Sequence, residues 1–173
     1  AASTSGTRDL AAGIADGVIH GGREDILKEW VSTFRQSVSQ GGRDPRSVTV
    51  VSWVPCCVSR DSKAAKESVK PHIARSGWTS FTKMVSEGKP VAEEDRLAAE
   101  RISREYDFSH HMSREHSHLV PDRWVDLFAA AGTPQQVKAR IDQIIQSGVD
   151  VVSIVPYGDK ESIMKLFAKK VIG

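Results

Sequence analysis

The stretch from Gly132 to the C-terminus constrains the fold most, because it spells one complete helix–strand–helix unit with its punctuation in place. Thr133 stands where an N-cap belongs, and Pro134 follows at the first helical position, where no N–H is needed. Val137, Ile141, Ile144 and Ile145 then recur at i, i+4, i+7 and i+8, which predicts one apolar helical face. Gly148 ends the helix. Val149 to Val155 is apolar except at Asp150 and Ser153, the pattern of a strand covered on both sides. Asp159 is placed to cap a closing helix whose apolar side is Ile163, Leu166, Phe167 and Val171. This is a βα repeat of a parallel α/β fold, in which the loop after the strand holds the chemistry.

The same grammar occurs twice more upstream. A helix through Leu10 to Ile14 enters the strand Val18-Ile19-His20, followed by Gly21-Gly22. The next helix carries Leu27, Trp30, Val31, Phe34 and Val38 on one face and stops near Gly41-Gly42. A turn over 43–47 leads into Val48 to Val54, the most β-branched segment of the chain. Strands alternating with helices predict a parallel sheet with right-handed crossovers. Three to four βα units are visible, whereas a closed (β/α)8 barrel has eight and usually needs ~250 residues. With 173 residues, and with Ala1-Ala2-Ser3 reading as the tail of a strand, the expectation is a single domain, 1–173. It would be the C-terminal half of a TIM-type barrel, either a piece of a longer protein or a natural half-barrel.

Charge and cysteine content narrow the functional classes. Lys and Arg total 24 against 22 acids, a net charge of +2, with no basic block of the kind that grips nucleic acid. No apolar run is long enough to span a membrane, and no secretory-signal pattern is present. The two cysteines, adjacent at Cys56-Cys57, cannot build a disulfide framework and predict core packing in a reducing, cytoplasmic setting. There is no Gly-x-Gly-x-x-Gly fingerprint, no P-loop and no nucleophile elbow.

Ile14-Ala15-Asp16-Gly17-Val18-Ile19, the Gly-Arg-Asp-Pro turn at 42–45, Val120-Pro121-Asp122, Gly132-Thr133-Pro134 and Gly148-Val149-Asp150 together resemble the luciferase-like flavin and deazaflavin oxidoreductases. Within them the chain is similar to the methylenetetrahydromethanopterin reductase branch, which uses coenzyme F-420. The resemblance implies a hydride-transfer enzyme acting on a small organic substrate, with coenzyme F-420, or FMN as the alternative. It places Ala1-Ala2 at the end of the fifth barrel strand, 17–20 in the sixth, 48–55 in the seventh and 150–155 in the eighth. The coenzyme phosphate is then expected on Ser3, Thr4, Ser5, Gly6 and Thr7. Hydroxyls, a glycine and unpaired N–H groups at a helix start form an anion site, to which Arg8 adds a charge. The same residues also suit an ordinary Ser/Thr cap with no ligand.

His20 and Gly21 are the second cofactor-binding candidates, since glycine lets a ligand approach the backbone and histidine can donate to a phosphate or a ring carbonyl. A solvated turn is the other reading. Residues 78–121 interrupt the βα grammar as an expected helical and loop insertion over the active-site mouth, including the helix-prone Glu93 to Tyr106 with Leu97, Ile102 and Tyr106 as its apolar contacts. Four histidines fall within nine residues there, and His110, His116 and His118 are candidate substrate contacts or proton donors. Their spacing is a poor fit to a structural metal site, so no metal is assigned. Open sheet edges predict pairing, as a homo-oligomer or with an N-terminal half-barrel. The competing reading is a self-assembling scaffold without catalysis. The isolated chain is expected to be inactive.

Overall fold

The computed structural model describes residues 4–107, 109 and 114–173. The expected strand tail at Ala1-Ala2-Ser3 therefore lies outside the described residues. The architecture is α/β, a parallel sheet of four strands forming part of a TIM-type barrel. The chain falls into two compact units, Ala1–Val54 with Lys138–Val155, and Pro55–Val137 with Pro156–Gly173.

In the first unit, α1 (Ser5–Ile14) leads to β1 (Gly17–His20), and α2 (Leu27–Gln40) leads to β2 (Thr49–Val58). β1 pairs in parallel with β2, Gly17 opposite Thr49 through His20 opposite Ser52. α2 buries Leu27, Val31, Phe34 and Val38, the predicted stripe. Each such side chain contributes ~1.5–3 kcal/mol relative to exposure. Trp30 is half-buried and stacks on Phe34 with ring centroids 5.4 Å apart.

The turn between α2 and β2 is a set of terminus repairs. Gly42 takes φ 78°, which ends α2 in the left-handed region. Arg43 donates to Ala12 O at 3.0 Å and Ala15 O at 2.9 Å, satisfying carbonyls that the end of α1 leaves open. Asp44 accepts from Arg46 N at 2.9 Å and caps the short 3-10 turn Pro45–Ser47. Farther along, α6 (Pro134–Gln146) runs to Gly148, at φ 92°, and then to β4 (Val151–Pro156). Asp150 joins this end to the sheet: it accepts from Val50 N at 2.7 Å and from Arg35 at 2.9 and 3.0 Å, while its own amide donates to Val50 O at 2.9 Å. β4 thereby pairs with β2.

Alternation along the strands buries Val18, Val50, Ser52 and Val54 on one face. On the other, Ile19 and Trp53 are 43% and 53% exposed, and in β4 Val151 is 45% exposed. β4 was predicted to be covered on both sides; instead Val151 is exposed and residues 152–156 are only half-buried. Ile145, predicted on the apolar stripe of α6, is exposed as well, whereas Val137, Ile141 and Ile144 are buried.

The second unit is mainly helical. α3 (Ser62–Ser86) packs against α4 (Glu93–Glu105), α5 (Asp122–Phe128), the 3-10 segment Arg114–Leu119 and the short strand β3 (Ala130–Gly132). β3 pairs in parallel with the end of β2, Cys56 opposite Ala130. The expected insertion at 78–121 thus begins inside α3. In α4, Ile102 is buried and Tyr106 caps the end buried, but Leu97 is exposed, because the neighbours of α4 lie on its other side. Trp124 is the centre of this unit. It is fully buried, stacks on Phe81 at 4.9 Å, and donates Nε1–H to Asp95 at 2.7 Å. Asp95 is itself buried and also takes Arg123 at 3.1 Å, so its charge is compensated. Lys70, 7% exposed, ties α3 to α5 by reaching Asp122 at 2.8 Å and Glu67 at 2.5 Å. α7 (Lys160–Phe167) starts at Asp159, which accepts from Ser162 N as predicted, and continues as the π-helical turn Ala168–Ile172.

Gly77 of α3 lies against the Trp124 indole so closely that a Cβ would overlap its six-membered ring. Gly77→Ala is therefore expected to lower stability by about 1–3 kcal/mol, the usual cost of overpacking, measured by urea denaturation with intrinsic tryptophan fluorescence.

Candidate functional site

In the first unit, two features sit where the sequence placed cofactor contacts. Thr4 is the N-cap of α1: its hydroxyl accepts from Thr7 N at 3.2 Å, and Thr4 N donates to Thr7 Oγ1 at 3.1 Å. This reciprocal box occupies the Thr4 and Thr7 hydroxyls. Ser5 and Gly6 form the exposed first turn beside it, and a Cβ at Gly6 would meet nothing within 4 Å, so the backbone there is open to a ligand. One turn on, Arg8 Nε is buried without a hydrogen-bond partner, with the Asp9 carboxylate 3.8 Å away. A buried guanidinium N–H without a hydrogen-bond partner, carried by the same helix whose start is open, is the kind of donor a phosphate at the positive end of the helix dipole would use. Ser3 lies outside the described residues.

His20 closes β1 on the same face as Val18, and its imidazole packs on Trp30 with ring centroids 4.7 Å apart. Its Nε2 is buried and has no partner. Burial pushes its pKa down, which favours the neutral ring, against a hydrogen bond to the Arg23 backbone that favours the charged one. Gly21 follows as an exposed residue close to Trp53 O. Nearby, burial raises the Glu24 carboxyl to about 7, opposed by the Arg140 guanidinium.

In the second unit, the carboxyl ends of β2 and β4 carry the polar groups. Tyr157, the first residue after β4, donates its amide to Cys56 O at 2.9 Å, and its hydroxyl lies 2.9 Å from His72 Nδ1 of α3. Cys56 and Cys57 are both buried and unpaired. Burial pushes the Cys56 thiol up to about 12, with a further rise from Cys57. Burial likewise raises Cys57, against a hydrogen bond with Ser68 and the charge of Arg114. The thiols are therefore protonated packing groups.

Of the histidine-loop candidates, His110 lies outside the described residues. His116 accepts from Asp107 N at 3.3 Å through Nε2 and packs on Tyr106, while His118 Nδ1 donates to Glu115 O at 2.9 Å. Both rings thus support the fold of their own segment. Among the described residues, no three His, Cys, Asp or Glu side chains gather as a metal site. A groove of about 330 Å³ lies at the start of α6, lined by Arg60, Thr133, Pro134, Gln135, Leu166 and Lys170. Thr133 and Gln136 exchange cap hydrogen bonds there, Thr133 N to Gln136 Oε1 at 2.8 Å, so part of the donor set that an anion needs is already used. No local pattern marks His72, because its partner is 85 residues away.

Comparison with known proteins gives one family and a consistent set of relatives. A family model described as luciferase-like monooxygenase matches residues 1–151. A 5,10-methylenetetrahydromethanopterin reductase of Methanolobus tindarius is 28% identical over 176 residues, covering 95% of this chain and 50% of the relative. Among solved structures, the coenzyme F420 dependent tetrahydromethanopterin reductase of Methanopyrus kandleri superposes with a TM-score of 0.74 at 23% identity, covering 96% of this chain and 47% of that one. An F420-dependent secondary alcohol dehydrogenase, in complex with an F420-acetone adduct, gives 0.69 at 15% identity, covering 96% and 45%. The chain spans about half the length of the relatives it matches.

With both thiols held protonated, a thiol-alkylating reagent at about pH 8.5, where a free cysteine is half ionised, should leave Cys56 of the folded chain unmodified and label it only after denaturation, as read by intact mass.

Proposed function

Because the chain belongs to the luciferase-like monooxygenase family, we propose that it forms the carboxyl-terminal part of an oxidoreductase that passes a hydride to or from a small organic substrate with coenzyme F-420, FMN being the alternative. The observation that carries this reading is the first turn of α1, where Ser5 and Gly6 are open and Arg8 Nε lacks a partner. The Ser5 and Gly6 amides, the Ser5 hydroxyl and the Arg8 guanidinium would hold the coenzyme phosphate, with Thr4 and Thr7 keeping the helix start in shape. His20 and Gly21 would flank the coenzyme from the end of β1. When bound, the deazaflavin supplies the hydride chemistry itself, and the protein supplies position, electrostatics and exclusion of water. In the second unit, the segment 78–121 carries His116 and His118 as substrate-contact candidates. The names of the Methanolobus and Methanopyrus relatives support the coenzyme and the reaction class. No helix among the described residues is long and apolar enough to cross a membrane. Two unpaired cysteines suit a reducing cytoplasm.

Titration of coenzyme F-420 into the natural polypeptide, followed by the fluorescence of the coenzyme, tests this reading. Arg8→Ala should weaken binding about tenfold through loss of a charge-assisted hydrogen bond, with no effect on a phosphate-free deazaflavin. Equal effects on both ligands, or none on either, would remove Arg8 from the phosphate site.

A second reading rests on Ile19, Trp53 and Val151, large apolar side chains that the strands of the first unit leave exposed. In this reading the chain is a half-barrel that self-assembles, or joins an N-terminal half-barrel, without catalysis of its own. Light scattering of the 173-residue chain should then give the mass of at least a dimer, and Trp53→Glu should return it to a monomer; a monomer at every concentration excludes self-assembly.

A further inference from the structure

The carboxyl ends of β2 and β4 hold a phenol–imidazole pair in the second unit. Tyr157 is fixed at its backbone by the hydrogen bond to Cys56 O, and the chain turns away at once through Gly158 at φ 111°. The Tyr157 hydroxyl lies 2.9 Å from Nδ1 of His72, and the two rings are 4.9 Å apart with planes at 33°. Ser68, one turn earlier on the same side of α3, lies against Gly158, where an added Cβ would sit 3.7 Å from its hydroxyl oxygen. A strip of α3 thus lays Ser68 and His72 along the strand ends, where α/β folds bind their ligands. Tyr157 and His72 are both half-buried, neither sealed into the core nor free in solvent. Burial also holds the Tyr157 hydroxyl above the ordinary tyrosine range, so at neutral pH it is an intact O–H group.

We propose that Tyr157 is a substrate-binding residue that donates its O–H to a carbonyl or imine acceptor, and that His72 is the positioning residue that aims it. A neutral imidazole has one donor and one acceptor nitrogen. With the proton on Nδ1, His72 donates to a lone pair of Tyr157 Oη, and the phenolic hydrogen is left to point at a ligand. With Nδ1 as acceptor, the same hydrogen is consumed within the pair. The inference rests on the oxidoreductase reading for the class of ligand. When the carbon of a C=O or C=N bond accepts a hydride from the reduced coenzyme, the π electrons move to the heteroatom, and a preorganised neutral donor stabilises the negative charge where it develops.

The test uses the natural polypeptide and cyclohexanone, a carbonyl compound with no O–H or N–H of its own, with the His72 imidazole and Tyr157 ring observed by NMR. Both should shift saturably as the ketone is added. Tyr157→Phe, folded by circular dichroism, should lose the saturable response. His72→Asn, whose amide can stand in for Nδ1, should keep it within about threefold, while His72→Phe should weaken it about tenfold, the loss expected for one hydrogen bond. Wild-type binding by Tyr157→Phe, equal binding by the two His72 variants, or no saturable shift in the wild type would each overturn the proposal. Coenzyme F-420 is titrated separately. A ketone response without coenzyme binding removes the oxidoreductase reading and leaves the pair standing, and coenzyme binding without a ketone response does the reverse.

Discussion

The sheet is held through the backbone of β2. Among the described residues, β1, β3 and β4 each pair with β2. Main-chain N–H and C=O groups in a buried strand must all find partners, and β2 reaches three strands by sharing its length, residues 49–52 with β1 and 56–58 with β3. Parallel neighbours cannot be joined by tight hairpins, so each arrives by a helical crossover whose ends need fixing. Asp150 supplies that fixing where β4 begins. One carboxylate takes the Val50 amide and the Arg35 guanidinium, joining two strands to α2. A neutral side chain of the same size could bridge only part of this set, because a carboxylate alone offers acceptor capacity for both partners without a competing donor.

Several residues that carry the family resemblance turn out to be structural in the physical sense. In the turn at 42–45, the glycine takes a left-handed φ, the arginine closes the end of α1, the aspartate caps a 3-10 turn and the proline begins it. Thr133 with Gln136 does the same for α6, and Gly148 ends it. These positions specify how strands and helices join, which is why their order and spacing report the fold. The chemistry has to be sought in groups that the fold leaves with spare bonding capacity. Arg8 Nε and His20 Nε2 are two such atoms, each buried without a partner, and each falls within or beside the residues that the sequence nominated.

The histidine-rich segment bonds differently. Four histidines close together suggest a site, yet His116 and His118 spend a ring nitrogen each on backbone groups of their own segment. A ring nitrogen so used has less to offer a ligand. His72 stands alone in sequence, beside a proline that would ordinarily mark the end of a helix, and α3 runs straight past it from Ser62 to Ser86. Burial of Val69, Pro71 and Ile73 within the unit offsets the hydrogen bond that Pro71 cannot make.

Much of the architecture was legible because it is local. Hydrophobic periods of 3.6 and 2, together with Thr133, Gly148 and Asp159, set α2, α6, β1, β2, β4 and α7 to within a few residues, and they need only neighbouring positions to act. The start of α1 could be read as both a cap and an anion site for the same reason. The short strand β3, the helix through Pro71, the burial of Trp124 beside Gly77, and the exposure of Ile19, Trp53 and Val151 were decided by tertiary structure. Each depends on which distant segment arrives at that place, and burial, unlike helical or strand period, is a property of two surfaces that one stretch of sequence does not contain. The Tyr157–His72 pair belongs with them: the sequence supplied a phenol and an imidazole, and only the path of α3 across the strand ends brought them within a hydrogen bond of each other.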